Sequence, residues 1–175
     1  MVQSVELLLD EASDDAVRDQ WQRLLDAGLP SQARHTAASN APHVTLAARR
    51  QIDAEVEPAL RAAVRVLPLP LRLGGLACFG RSRLVLVRIA VPSELLLRLQ
   101  AAVAGALGPD PDDPAATGTL APGRWTPHVT LARRLAPEQV GAAVQVLGGV
   151  PERDGVAVGC RRWDGDARRE WPLLP

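Results

Sequence analysis

A chain of 175 residues with 20 basic and 20 acidic side chains and no net formal charge is long enough to bury one sizeable core, but it lacks the basic excess that tight non-specific binding to long nucleic acid requires. No apolar run approaches a membrane span and the first residues do not read as a secretory leader, so a cytoplasmic protein without membrane attachment is expected; Cys78 and Cys160, too few for a disulfide scaffold, read as buried thiols. Every Lys/Arg position is Arg, which excludes Schiff-base chemistry, a Walker-type phosphate loop and the lysine nucleophile of ATP-dependent nucleic-acid ligases.

In chain order, Ser4 to Leu9 is an apolar run of strand length. A helix is expected over 14–28, with Asp14 as N-cap, Val17, Trp21, Leu24 and Leu25 on one stripe and Gly28 as its stop. Trp21 lies on that stripe and reads as core. Residues 29–41 form a polar loop whose His35 is expected to be solvated, and they lead into Pro42-His43-Val44-Thr45-Leu46-Ala47. Ile52, Val56, Leu60, Val64 and Leu67 mark a second amphipathic helix, closed by Pro68 and Pro70. Two strand-like runs, 69–79 and 84–91, are joined by a hairpin over Gly80-Arg81-Ser82-Arg83. A helix opens at Pro92-Ser93-Glu94 and stops at Gly108.

Residues 109–124 are rich in Pro, Asp and Gly and cannot build a core. They are either an idle insertion or a flap over a cleft, since long loops in compact domains are often lids. Next comes Pro127-His128-Val129-Thr130-Leu131-Ala132, then a helix from Pro137-Glu138 to Leu147, and two strand-like runs, 155–163 and 169–174. The second half repeats the order of the first: strand, helix, motif strand, helix, strand.

The hexapeptide Pro-His-Val-Thr-Leu-Ala thus occurs twice, its histidines 85 positions apart (128 − 43). Similar buried strands would share Val, Leu and Ala; they would not share His and Thr at matched positions. A strand sends alternate side chains to opposite faces, so His43 and Thr45 share one face and Val44 and Leu46 the other, as do His128 and Thr130 against Val129 and Leu131. A duplication of this kind suggests two half-domains, about 1–80 and 81–175, within a single domain related by a pseudo-twofold axis. Two imidazoles facing one cleft can divide acid and base work, with the hydroxyls holding the oxygens of a phosphodiester and no metal required.

Two His-x-Thr-hydrophobic motifs 80–90 residues apart in a chain of this length resemble the 2H phosphoesterase superfamily, and within it the bacterial RNA 2′,3′-cyclic phosphodiesterases, also called 2′-5′ RNA ligases. The resemblance implies an α+β fold in which two antiparallel-rich sheets line a central cleft with helices outside. It implies hydrolysis of an RNA-terminal or small-nucleotide 2′,3′-cyclic phosphate to a 2′-phosphate, with His43 as acid, His128 as base and no cofactor, metal or obligate protein partner. Thr45 and Thr130 would bind the phosphate. The family tends to carry an Arg after the second motif, where Arg133 stands; strict strand parity instead puts Arg134 and Arg49 on the cleft face. Relatives often have an aromatic residue after the first motif, where this chain has Ala47-Ala48, so base stacking moves to Trp125, which reads equally as core.

Other classes remain. One is ATP-independent 2′-5′ ligation or cleavage, and another is a nucleotide-binding module without turnover, which would not require both imidazoles. A His-based metal site would need further ligands that His-x-Thr strands do not supply. A purely structural duplication would have to account for two buried histidines without partners.

Overall fold

The computed structural model describes residues 3–113 and 118–174. Among them, seven antiparallel strands and four helices make a mixed α+β fold. The strands are β1 (Gln3–Leu9), β2 (His43–Arg49), β3 (Leu69–Phe79), β4 (Leu84–Ala90), β5 (His128–Leu135), β6 (Arg153–Asp164) and β7 (Arg169–Pro172); the helices are α1 (Glu11–Asp26), α2 (Glu57–Ala63), α3 (Glu94–Leu107) and α4 (Val140–Leu147).

The two expected sheets are two parts of one. Strand order is β1-β2-β5-β4-β3-β6-β7, and β6 also pairs with β1, so six strands close into a ring with β7 outside it. Long β6 makes the closure: its first residues pair with β3 and its later ones with β1. The opposite join is minimal, since β2 and β5 share a single register pair, Val44 with Val129. The two motif strands therefore touch at one point and splay on either side.

Alternation explains which faces are buried. Val5, Leu7 and Leu9 of β1, Val44 and Leu46 of β2, and Val129 and Leu131 of β5 enter one continuous core. α1 covers part of β5 and β6, while α3 lies on β2. Trp21 is core, as expected, at 3% exposure.

Three local expectations need correction. α1 is capped by Asp10 rather than Asp14: the Asp10 carboxylate accepts from the backbone N–H of Ser13 at 2.9 Å and starts the helix earlier. The second amphipathic helix is a single α-helical run over 57–63 flanked by 3₁₀ turns. Pro58 has no N–H to give an interior turn, so it must sit in the first turn, and the helix cannot extend back to Ile52. Cys160 is buried but Cys78 is exposed. Residues 114–117 of the proposed flap lie outside the described residues. The described parts of that loop are tied down: Asp113 accepts from the Arg50 backbone N–H at 2.8 Å, and the Leu120 carbonyl accepts from Gln100 at 2.8 Å.

Candidate active site

Each motif strand holds its histidine in the same way. His43 Nδ1 lies 2.7 Å from the Ala41 carbonyl and His128 Nδ1 lies 2.7 Å from the Thr126 carbonyl. A carbonyl oxygen can only accept, so Nδ1 carries the hydrogen in both rings and Nε2 is left for chemistry. The motif backbones are clamped by matching indoles: Trp21 Nε1 donates to the Thr130 carbonyl and Trp125 Nε1 to the Thr45 carbonyl, each at 3.0 Å.

The two copies also share a defect. β1 against β2 shifts register between Val5 and Glu6, so Val5 faces Ala47 but Glu6 faces Thr45. β4 against β5 shifts at the corresponding place, with Leu86 facing Ala132 and Val87 facing Thr130. A bulge inserts one residue and reverses the alternation beyond it. Leu131 and Ala132 are consequently both buried.

The three arginines take three different positions, and β5 shifts register a second time, between Ala132 and Leu135. Arg133, placed on the far face by simple parity, lies close enough to act on the charge of His128. Arg49, placed by parity on the cleft face, is instead buried beneath α3, with Nη1 on the Ala48 carbonyl at 2.9 Å and Nη2 on the Gly108 carbonyl at 3.3 Å. Arg134 has a positive φ of 61° and lines a side cavity with Arg133, Arg34 and His35. The parity expectation thus fails at Arg49 because it counts no bulge.

The Val44–Val129 pair makes the relation between motifs explicit. Continuing that antiparallel register by one residue on each side sets His43 beside Thr130 and Thr45 beside His128. Because the strands splay beyond Val44 and Val129, that order gives the sequence of residues along the join and not a contact between each imidazole and the other copy's hydroxyl. Positive charge on His43 works against positive charge on His128, which places the two rings within electrostatic reach. Burial is the largest influence on His128 and drives its pKa below the usual 6.5; the Thr126 carbonyl opposes this, and Arg133 and His43 reinforce it.

The surroundings of the two rings differ. His128 packs edge-on against Phe79, the only Phe in the chain, with ring centroids 5.0 Å apart. It shares a cavity of about 460 Å³ with Phe79, Trp125, Leu120 and Arg124. Trp125 is thus both an 8%-exposed core residue and a wall of that cavity. His43 opens onto a cavity of about 610 Å³ with Glu6, Arg34, His35, Arg161 and Trp163. His35, expected to be solvated, is exposed yet lines this cavity. Among the described residues no group of three or more His, Cys, Asp or Glu stands where it could hold a metal ion.

Glu6, Phe79, Arg161 and Trp163 carry no motif and escape a reading of the sequence alone. Glu6 had a signal, as the one acid inside the apolar run Ser4-Val5-Glu6-Leu7-Leu8-Leu9 and on the same strand face as Ser4.

Residues 13–159 match the family model described as the 2′-5′ RNA ligase superfamily. No curated protein sequence matches the chain significantly. Among solved structures, the chain is similar to TT0787 of Thermus thermophilus (21% identity, TM-score 0.60, covering 99% of this chain and 95% of that one). It is also similar to E. coli LigT complexed with phosphate (20%, 0.55, 98% and 96%) and to Kluyveromyces marxianus Usb1 (12%, 0.55, 98% and 97%). At these identities the likeness is one of fold.

Proposed function

The chain belongs to the 2′-5′ RNA ligase superfamily, the 2H phosphoesterases, and on that premise we propose that it is a cytoplasmic, metal-independent phosphodiesterase that opens 2′,3′-cyclic phosphates at RNA ends or on small nucleotides. The observation that carries this reading is the pair of matching histidines, each anchored through Nδ1 on the backbone carbonyl two residues before it, on motif strands that meet at Val44 and Val129.

In this mechanism water attacks phosphorus while His128 Nε2 takes its proton, which suits a ring that burial keeps neutral at pH 7. The P–O3′ bond breaks and the departing oxygen receives the proton of His43 Nε2, leaving a 2′-phosphate and a 3′-hydroxyl. Thr45 and Thr130 donate to the non-bridging oxygens, where charge accumulates in the transition state. Arg133 adds a fixed positive charge beside phosphate. The phosphate and the 3′-AMP held by E. coli LigT in its crystal structures fit the same ligand class. Replacing water by the 5′-hydroxyl of another RNA gives ATP-independent 2′-5′ joining on the same groups, the second reading that the family name favours.

The test is a product assay with EDTA present on cyclic-ended RNA, cyclic mononucleotides and a cyclic-ended donor mixed with a 5′-hydroxyl acceptor. Hydrolysis to a 2′-phosphate is expected and chelation should leave the rate unchanged. His43→Ala and His128→Ala should each lose ~10²–10⁴ in rate with an intact circular-dichroism spectrum. Near-normal turnover in both variants would sink the assignment.

A further inference from the structure

The duplicated geometry gives the two histidines equal backbones, so what separates their roles has to lie in the strands beside them. The register identifies those neighbours. On β1 the residue facing Thr45 is Glu6; on β4 the residue facing Thr130 is Val87. Both follow the same bulge, so Glu6 and Val87 occupy equivalent places in the two copies. One copy has a carboxylate where the other has an isopropyl group.

Glu6 is held in an interior position by two side-chain donors. It is 4% exposed; Oε2 accepts from Arg161 Nε at 2.8 Å and Oε1 from Ser4 Oγ at 2.7 Å. Arg161 also donates to the Ser39 carbonyl and to Glu170, so the guanidinium is fixed in turn. Glu6 Oε1 stands 3.5 Å from His43 Nε2, close enough for charge to matter and too long to capture the Nε2 hydrogen.

We propose that Glu6 is the positioning residue that divides the labour between the two copies: its carboxylate supports His43 as the proton donor, and Val87 in the equivalent place leaves His128 as the acceptor. The inference rests on the hydrolase reading above for the words donor and acceptor, and on the structure alone for the asymmetry. The charged groups that face His43 are Glu6 from β1, Arg161 from β6, Arg34 and His35 from the loop before β2, Arg168 from the turn after β6, and His128 across the axis. Arg34, His35 and Arg168 lie toward solvent and their charges are screened by water. Arg161 is buried as well and pairs with Glu6 and Glu170; the Glu6 carboxylate is the buried charge that stands 3.5 Å from Nε2. Around His128 the neighbours are Phe79 and Trp125, with Val87 facing Thr130 two residues on, and Cys78, Arg124, Arg133 and His43 as the titratable or charged groups. An apolar and cationic surround of this kind favours a neutral ring.

The test uses NMR titration of the two imidazoles in the unliganded full-length protein, wild type against Glu6→Gln, alongside the pH dependence of kcat on a cyclic-phosphate substrate. In Glu6→Gln the His43 midpoint should move to lower pH while that of His128 stays in place. Turnover at neutral pH should fall on the order of tenfold, less than the loss of the proton donor itself, with KM little changed and the alkaline limb of the profile moved toward lower pH. Glu6→Asp should recover part of both effects. If Glu6→Gln does not fold because Arg161 loses its buried partner and keeps only the half-exposed Glu170, the double variant Glu6→Gln/Arg161→Met removes that charge and carries the same readouts. An unmoved His43 midpoint, or a loss of kcat equal at every pH, overturns the proposal. Because the titration needs no substrate, it decides the point even if the protein hydrolyses none of the cyclic phosphates offered, an outcome that would count against the proposed function alone.

Discussion

At His128, protonation is governed by what surrounds the ring: burial first, then the nearby charges of Arg133 and His43, with only the Thr126 carbonyl supporting the cation. The base of the reaction must be neutral, so the acidic limb of the rate profile should lie below the usual 6.5, with activity rising as pH rises through it. The same depression affects stability. A ring that binds protons less readily when folded contributes stability above the unfolded value near 6.5 and loses it as pH falls through the lower folded value. Steady-state rates and thermal melts between about pH 5 and 8 check both; an acidic limb above neutrality would remove His128 as the base. The threonines should behave differently, because they do not titrate. Thr45→Val and Thr130→Val keep the strand and the carbonyls that Trp125 and Trp21 clamp. Each should cost on the order of 1–3 kcal/mol of transition-state stabilisation, roughly 5- to 150-fold in kcat/KM, and leave the shape of the pH profile unchanged. One silent threonine would mean that the two do not share a phosphate.

Asp10 shows how one side chain ties elements together. Its carboxylate caps α1 through the Ser13 N–H and hydroxyl and also accepts from the Val156 N–H of β6. Burial pulls its pKa upward, but these hydrogen bonds outweigh burial and hold it below the usual 3.8. Its contribution is therefore complete above pH 3.8 and is lost as pH falls through the lower folded value. Asp10→Ala should cost about 1–2 kcal/mol, read as a lower midpoint in urea at neutral pH, with a smaller difference from wild type once the carboxyl is protonated in acid; an unchanged midpoint would refute the double role. By residue type Asp10 and Asp14 are equally good caps, and only the packing of β6 against the start of α1 decides between them. Element order, the hairpin at Gly80 and the caps at Ser93 and Gly108 were legible because local periodicity and turn chemistry specify them. The bulges were not, since an extra residue in a strand leaves the alternating pattern looking intact until its partner's register is known. That is why Arg49, which lies beyond the bulge, is buried at the end of α3 and not on the expected cleft face.

For the whole molecule, ring closure predicts cooperativity. β6 is bonded to β3 through one stretch and to β1 through another, so neither the 1–80 nor the 81–175 half has a complete sheet of its own. Equilibrium unfolding should be a single transition, with tryptophan fluorescence and far-ultraviolet circular dichroism coincident; two separated transitions would show that the halves fold as independent units. The repeat of six residues is read directly from the chain. The closure is not, because long-range pairing of β6 leaves no periodic trace in the chain. The single Val44–Val129 contact has a bearing on strand polarity. If the two motifs are related by a twofold axis, that axis has no sense of direction, whereas a nucleic-acid strand runs from 5′ to 3′. A phosphodiester seated on that axis would meet the same hydroxyl and the same imidazole from either side, and nothing in the twin motifs would tell upstream nucleotide from downstream. Orientation then has to be read off-axis, from the guanidinium-lined wall beside His43 against the aromatic wall beside His128, which makes those walls the place where a preference for one end of a strand would be written or erased.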